Sequence, residues 1–411
     1  MSIRKRAWKT SKGETKIAWI VDYSDGKGVR RLKTFARKKD ADQFAATAKV
    51  EVREGVHVAD SDSATVKQAG AFWIASVEAA GRERTTVDSY RSHLDLHIVP
   101  FIGELKLTGL NVAAARSFED QLRAGGRSPA MIRKVLVSLG SLLADAQERG
   151  LTARNVIRDI RGRRKGADRR QEKRHKGRLK IGVDIPTREE VKAIVGALSG
   201  RWRPLLLTAI FTGLRASELR GLRWIDVDLD KREVHVHQRA DRFNLIANPK
   251  SISGERTVPA PPIVINALRE WKLICPKRDT GKVDADGKAI TVLNLVFPNG
   301  HGKVEQLNNI VRRGLQPTEI AAGVTVDTGE VDDKGEPVLE AKYKGLHALR
   351  HFYASWCINR QEDGGLGLPL KVVQERMGHS SVTMTADVYG HLFPRGDDAD
   401  ELARAENALL A

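Results

Sequence analysis

The sequence predicts a multidomain chain: a small α+β module, an all-α bundle, and a larger, mainly α (α+β) C-terminal domain. Three observations predict it. Residues 1–58 alternate in hydropathy with period two and then switch to a helical period. Residues 59–152 carry apolar positions spaced by three and four throughout. A run dense in Arg, Lys and Gly, 153–184, separates these from the rest and reads as a linker.

In the first module, Thr15–Tyr23 puts Ile17, Trp19 and Val21 at alternate positions, Asp25-Gly26 marks a turn, and Arg30–Phe35 reads as a second strand. Lys38–Glu54 reads as a helix with Ala41, Phe44, Ala45 and Ala48 on one side, ended by Gly55. The bundle is expected from helices at Ala64–Ala80, Thr85–His97, Val112–Ala124 and Pro129–Gly150, punctuated by Pro100, Gly103 and Gly125-Gly126. The third domain, 185–396, opens on a capping-box pattern from Thr187 to Glu190. Its apolar stretch Leu205 to Phe211 reads as a buried helix, and strands are expected near Glu233–Pro259. Segments 276–292 and 322–343 are turn-rich and read as surface insertions; no internal repeat is evident. Residues 397–411 read as a short amphipathic tail helix carrying Leu402, Ala405, Leu409 and Leu410.

Composition narrows the partner. The 411 residues hold 70 Lys+Arg against 52 Asp+Glu, a net charge of +18. Residues 1–58 have 15 basic and 7 acidic side chains, and 153–180 have 13 and 3, so these two stretches account for the whole surplus. Such focused charge favours a polyanion, nucleic acid first. In the first module Arg30 and Arg31 are candidates for it; in the linker, Arg161, Arg163, Arg164 and Lys165 are. A basic linker between folded domains can cross a duplex and hold several phosphates, giving salt-dependent, sequence-blind affinity. Two cysteines, Cys275 and Cys357, cannot staple a chain of this size, which points to a reducing, cytosolic setting. No apolar run approaches the ~20 residues of a membrane helix, and no apolar segment follows the basic N-terminus to make a secretory signal.

Several local patterns are weak. Asp226, Asp228 and Asp230 open like a calcium loop, but Lys231 stands where Gly is needed and His237 where Glu is. His235 and His237 share a strand face without a third ligand nearby in sequence. Gly364-Gly365-Leu366-Gly367 lacks the Lys-Ser/Thr of a phosphate cradle.

One ordered set is strong. It runs Thr212-Gly213-Leu214-Arg215-Ala216-Ser217-Glu218-Leu219, Pro249-Lys250-Ser251, His347-Ala348-Leu349-Arg350-His351, Met377-Gly378-His379-Ser380-Ser381, and Thr385-Ala386-Asp387-Val388-Tyr389-Gly390-His391. This set closely resembles the tyrosine recombinases, specifically the phage-type, lambda-like integrases, whose order is Arg, Lys, His-x-x-Arg, His or Trp, Tyr. The resemblance assigns Arg215, Lys250, His347, Arg350, His379 and the nucleophile Tyr389 as catalytic residues. Tyr389 follows His379 by 10 residues and Arg350 by 39, spacings that suit the family. Met377 replaces the usual leucine, and the long gap from Arg215 to His347 is taken up by the insertion at 322–343. The resemblance spans the chain: it implies an arm-type DNA-binding domain at 1–58, a core-binding domain at 59–152, and the catalytic domain at 185–396. In the family a terminal helix docks on a neighbouring protomer, which implies the same for 397–411.

The chemistry explains the residue types. Phosphoryl transfer passes through a crowded anionic transition state, and two guanidiniums can grip its oxygens bidentately. Each preorganised donor is worth ~3 kcal/mol there, so Arg215 and Arg350 can do a metal ion's work; no clustered carboxylates suggest a two-metal site. A free tyrosine has a pKa near ~10 and is about one part in a thousand ionised at neutral pH. Tyr389 therefore needs a base, for which His347 is the candidate, while Lys250 can protonate the leaving 5′-oxygen and His379 can bond the phosphate. Arg256 lies in the same segment as Lys250. The family implies a 3′-phosphotyrosyl link and a free 5′-hydroxyl, with no cofactor and no ATP.

Taken singly, each residue has a plainer reading: Arg215 a helix-surface partner of Glu218, the histidines structural, Tyr389 a core aromatic. Their joint order outweighs those readings. The expected partners are double-stranded attachment sites, a homotetramer on DNA, a host DNA-bending factor and an excisionase, in the cytoplasm of a bacterial host and without a membrane. A type IB topoisomerase shares the chemistry but needs no arm-like module, and a DNA-binding regulator would not need six filled catalytic positions.

Overall fold

The computed structural model describes residues 1–9, 15–163, 178–249, 251–284, 287, 289–333, 335–393 and 398–411. The chain divides into two compact units, Met1–His175 and Lys176–Ala411. Among the described residues no helix is long and apolar enough to cross a membrane.

The first unit begins with an antiparallel sheet, β1 (Ser2–Lys9), β2 (Thr15–Ser24) and β3 (Arg30–Phe35), in that order. Strand β1 was not expected: its charge-rich sequence masks the alternation. Ile3 lies opposite Val21, and Asp22 opposite both Ser2 and Leu32. One face packs Val21 and Tyr23 against Ala41 and Ala45 of α1 (Lys38–Arg53), with Ile3, Trp19, Phe35 and Phe44 around them. Ile17 is not part of this core and is 48% exposed. It lies where β2 pairs with β1 alone, since β3 pairing starts at Trp19. The opposite face presents Arg4, Arg6, Trp8, Arg30 and Leu32 to solvent.

The same unit continues as a bundle of α2 (Val66–Ala79), α3 (Arg84–His93), α4 (Val99–Ile102), α5 (Val112–Ala124), α6 (Pro129–Glu148) and α7 (Val156–Arg163). Thr65 and Gln68 form the capping box that starts α2, and Ser128 caps α6. A π turn, Leu94–Ile98, joins α3 to α4, with the Val99 N–H reaching the Leu94 carbonyl. The cause is Pro100, which has no N–H for the regular ladder. Trp73, Ile98, Phe118, Leu122, Leu139 and Leu142 fill the core. Helix α7 extends into the segment read as a linker. Val156, Ile157 and Ile160 recur at helical spacing inside the basic run and are buried in the bundle core.

The second unit is mainly helical. Helix α8 (Arg188–Ala197) starts on the expected box: Thr187 Oγ1 accepts from Glu190 N–H, and Glu190 Oε2 from Thr187 N–H at 2.8 Å. Helix α9 (Trp202–Thr212) is buried almost all round, and its Thr208 and Thr212 hydroxyls donate to carbonyls one turn back. It ends at Gly213 and leads into α10 (Ala216–Gly221). A small antiparallel sheet of β4 (Val227–Asp228), β5 (Glu233–Val236) and β8 (Arg256–Pro259) flanks the core; β6 (Arg239–Ala240) and β7 (Ile246–Ala247) pair between β5 and β8. Then follow α11 (Pro262–Ile274), the hairpin β9 (Arg278–Val283) and β10 (Ala289–Val292), α12 (Gln316–Ala321), and the hairpin β11 (Thr325–Val331) and β12 (Pro337–Ala341). The last helices are α13 (His347–Ile358), α14 (Leu370–Met377), α15 (Val382–Tyr389) and α16 (Asp398–Leu410). Leu205, Leu206, Ile210, Leu268, Leu349 and Tyr353 are central to the core.

The two insertions are hairpins, and they repeat one another. Both read Asp-Thr-Gly-x-Val-Asp-x-x-Gly, at 279–287 and 327–335. In each the threonine hydroxyl donates across the hairpin, Thr280 to the Ile290 carbonyl and Thr328 to that of Val338. In each the aspartate accepts from the glycine N–H two residues on, at 2.8 Å. The repeat escaped the sequence reading because it is short and its flanks diverge.

Gly213 is a tight point of this unit, next to the site. Its φ is +61°, and an added Cβ would stand 2.2 Å from Tyr353 Cδ1. Gly213→Ala is expected to cost roughly 3 kcal/mol through strain and overpacking, read as a lower denaturant midpoint with an unchanged slope.

Candidate active site

The site is built outward from one buried carboxylate. Gly213 turns the chain out of α9, so that Arg215 becomes the N-cap of α10 and Glu218 lies one turn in. Glu218 Oε2 accepts from the Arg215 backbone N–H at 2.8 Å, and Oε1 from its guanidinium at 2.7 Å. Arg256, on β8, gives both amino groups to the same carboxylate, at 3.2 and 2.8 Å, and its Nε to the Arg376 carbonyl at 2.7 Å. Side chains of Glu218 and Arg256 are 3% and 6% exposed. Burial alone would raise the Glu218 pKa, but the charges of Arg256, Arg215 and Arg350 outweigh it and bring it to about 2.

Arg215 is 37% exposed and reaches the Gly378 carbonyl at 2.8 Å. Arg350, on α13, is buried and donates to the carbonyls of Gly213 and Met377. Burial, and next the Arg215 charge, lower its pKa to about 9, so it remains a cation at neutral pH. His347 opens the same helix and is exposed to solvent; surrounding protein and the charges of Arg350 and Arg215 hold its pKa below the ordinary value.

The nucleophile candidate is deeply seated. Tyr389, at the end of α15, is 2% exposed, and burial pushes its pKa up to about 12 against the pull of Arg350 and Arg215. Its hydroxyl lies 2.7 Å from His351 Nδ1. His379 lies parallel to the tyrosine ring, centroids 6.1 Å apart, with its Nδ1 2.9 Å from Thr385 Oγ1. Burial and then Arg350 lower the His379 pKa to about 4. Gly378, just before it, has φ +61°, and a Cβ there would meet Arg256 Nη1 at 2.7 Å. The α14 turn therefore closes directly onto the arginine cluster.

Arg215, His347, Arg350, His379 and Tyr389 thus come together around α10, α13 and α15. Lys250 lies outside the described residues; Pro249 and Ser251 flank it between β7 and β8. Two residues without an expected catalytic role also join the site. Arg256 faces Glu218, a contact that only the fold creates. His351 lies one helical turn after His347, the signal that could have singled it out.

The DNA-binding candidates separate. Arg30 is on the open sheet face, paired with Asp22 at 2.6 Å, and Arg4 is 3.6 Å from the same carboxylate. Arg31, the next residue, points to the other face and is tied to Asp25, Ser61 and Asp62. It is a structural tether rather than part of the open face. Arg4 and Arg6 take its place there, unseen because β1 was unexpected. Arg161 and Arg163 fall within α7, while Arg164 and Lys165 lie outside the described residues. His235 bonds Thr257 and His237 bonds Asp226, and among the described residues no three His, Cys, Asp or Glu gather as metal ligands.

The model of the phage integrase family matches residues 186–395, the segment that carries the motifs from Arg215 to Tyr389. The chain belongs to that family. It is a tyrosine recombinase, an enzyme class that cleaves and rejoins DNA strands. A XerC-like tyrosine recombinase of Caldanaerobacter subterraneus is 26% identical over 392 residues, 90% of each chain. Among solved structures, the Tn1549 transposon integrase in complex with transposon right-end DNA has the same fold, with a TM-score of 0.60 and 19% identity, over 85% of this chain and 100% of that one. A lambda integrase tetramer bound to a Holliday junction matches with a TM-score of 0.52 and 14% identity, over 92% and 96%.

The recombinase's buried carboxylate makes a pH prediction. Glu218 titrates below its ordinary 4.5, at about 2, so its ionised form stabilises the fold above pH 4.5. That contribution, roughly 3 kcal/mol, is lost as pH falls through the folded value. Glu218→Gln should flatten the acid-unfolding curve across this window. At neutral pH it should destabilise by about 3–5 kcal/mol, because Arg256 is left buried and unpaired. Tryptophan fluorescence across a pH series checks both.

Proposed function

We propose that this recombinase is a site-specific integrase that inserts and excises a prophage or mobile element, with Tyr389 as the attacking group. The observation that carries the reading is the Tyr389 hydroxyl seated in a pocket of protein whose fixed charge comes from Arg215 and Arg350. Arg215 and Arg350 hold the non-bridging oxygens of the scissile phosphate, and His379 and His347 bond the same group. Tyr389 Oη attacks phosphorus and gives up its proton to a histidine base on α13, the bond to the 5′-oxygen breaks, and Lys250 protonates that oxygen. The 3′-phosphotyrosyl link conserves the bond energy, so a 5′-hydroxyl from a partner strand reverses the step without ATP.

Residues 1–58 serve as the arm-type DNA-binding domain, with Arg4, Arg6 and Arg30 on its open face. Residues 59–152 grip the core site, and the basic run holding Arg161, Arg163, Arg164 and Lys165 adds phosphate contacts. Four copies assemble on paired attachment sites in the bacterial cytoplasm, with a host DNA-bending factor and an excisionase setting direction. The support for assembly on DNA is the fold shared with the lambda integrase tetramer.

A nicked suicide substrate carrying the element's own attachment site, in EDTA, tests the chemistry. Wild type should give a covalent protein–DNA band on a denaturing gel and Tyr389→Phe none. An equal band in the variant would name another nucleophile; no band from wild type, with DNA binding intact, would favour a regulatory protein. The tail makes a second prediction. Helix α16 leaves Leu402, Leu409 and Leu410 exposed. Deleting Asp397–Ala411 should abolish higher-order complexes in a gel-shift titration while single-site binding persists; unchanged assembly would remove the tail from that role.

A further inference from the structure

We infer that His351 is a further catalytic residue, the group that takes the Tyr389 proton as the tyrosine attacks. The inference rests on the recombinase reading above and assigns the base within that site. Among the described residues, the hydrogen-bond partner of the Tyr389 hydroxyl is His351 Nδ1, at 2.7 Å. That is the distance from which a base works. His347, the base suggested by motif order, occupies a different place: it is exposed to solvent one helical turn earlier and meets the edge of His351, with ring centroids 4.5 Å apart at 78°. The two histidines therefore divide the work. His347 is open to an incoming phosphate, and His351 is seated on the nucleophile.

The protonation state fits. His351 is half-buried on α13. The charged and titratable groups that face it are His347 and Arg350 on its own helix, Asp184 ahead of α8, and Tyr389 on α15. Burial, then His347 and Arg350, lower its pKa to about 4 while Asp184 opposes them, so the ring is neutral at working pH. A tyrosine hydroxyl donates to a neutral imidazole only at its unprotonated nitrogen, so Nδ1 carries the lone pair and Nε2 the hydrogen. The step balances. As Tyr389 Oη bonds to phosphorus, its proton passes to His351 Nδ1. The electron pair of the breaking P–O bond goes to the 5′-oxygen, which receives a proton from the general acid. On rejoining, the imidazolium returns its proton to Tyr389 as the phosphotyrosyl bond breaks.

Single-turnover cleavage of the nicked substrate tests this in the full-length protein. His351→Gln should cleave about 100- to 1,000-fold more slowly, with DNA binding unchanged, and its rate should climb tenfold per pH unit where wild type is level. Placing 3,5-difluorotyrosine, a more acidic phenol, at position 389 should restore most of the His351→Gln loss. A 5′-phosphorothiolate leaving group, which needs no proton, should not restore it. A merely structural histidine would give the reverse on the first count: no rescue by the acidic phenol. His351→Asn, smaller and equally non-basic, repeats the comparison should the glutamine variant not fold. Wild-type cleavage rates in both variants, or a loss that the fluorinated tyrosine leaves untouched, would overturn the inference. Failure of the wild type itself to form a Tyr389-dependent adduct would overturn the recombinase reading first, and this inference with it.

Discussion

A cationic site must be stabilised before it can stabilise anything else. Arg215, Arg256 and Arg350 converge on a small volume, and Arg350 is fully enclosed. In a low-dielectric interior such a cluster repels itself strongly. Glu218 is the counter-charge. It accepts from the backbone of Arg215 and from two guanidiniums at once. One carboxylate therefore ties the start of α10, strand β8 and, through Arg256 Nε, the end of α14 into one unit. Geometry elsewhere follows from that knot. Gly213 and Gly378 are glycines because Tyr353 and Arg256 occupy the space a side chain would need.

With the cations fixed, the segment of Tyr389, the proposed nucleophile, has a defined seat. His379 is held by Thr385, a residue of the tyrosine's own helix, and Gln374 bonds the His379 carbonyl. His351 closes the other side at the hydroxyl. Burial makes the phenol a poor acid and the imidazoles poor bases, so both rest neutral. Neutral partners in contact can exchange a proton when a phosphate brings new charge, which is a different state from an ionised nucleophile waiting in solution.

Much of this was legible in the sequence because it is local. Helices α5 and α6 and the capping box at Thr187 depend on spacing within one element, and they lie where the pattern puts them. The motif residues were legible for the same reason: each is a fixed type at a fixed place on a short element. What escaped depends on partners far along the chain. Half the residues of strand β1 are charged, and its strand character comes from pairing with β2. Arg30 and Arg31 are neighbours in sequence but face opposite sides of the sheet, and register alone decides which is open. Arg256 has no signal until β8 is laid beside α10. The two hairpins bury little and so leave no periodicity to read.

A side chain able to break a phosphodiester is a hazard to any genome it touches. Tyr389 is 2% exposed. A duplex drifting past the free protein meets no reactive hydroxyl, whatever its sequence. On the reading proposed above, the packing is itself a safeguard against stray breaks: DNA binding has to bring the scissile phosphate to a hydroxyl that stays seated on His351. Fidelity in such a design is set by access to the hydroxyl as much as by which sequences are bound.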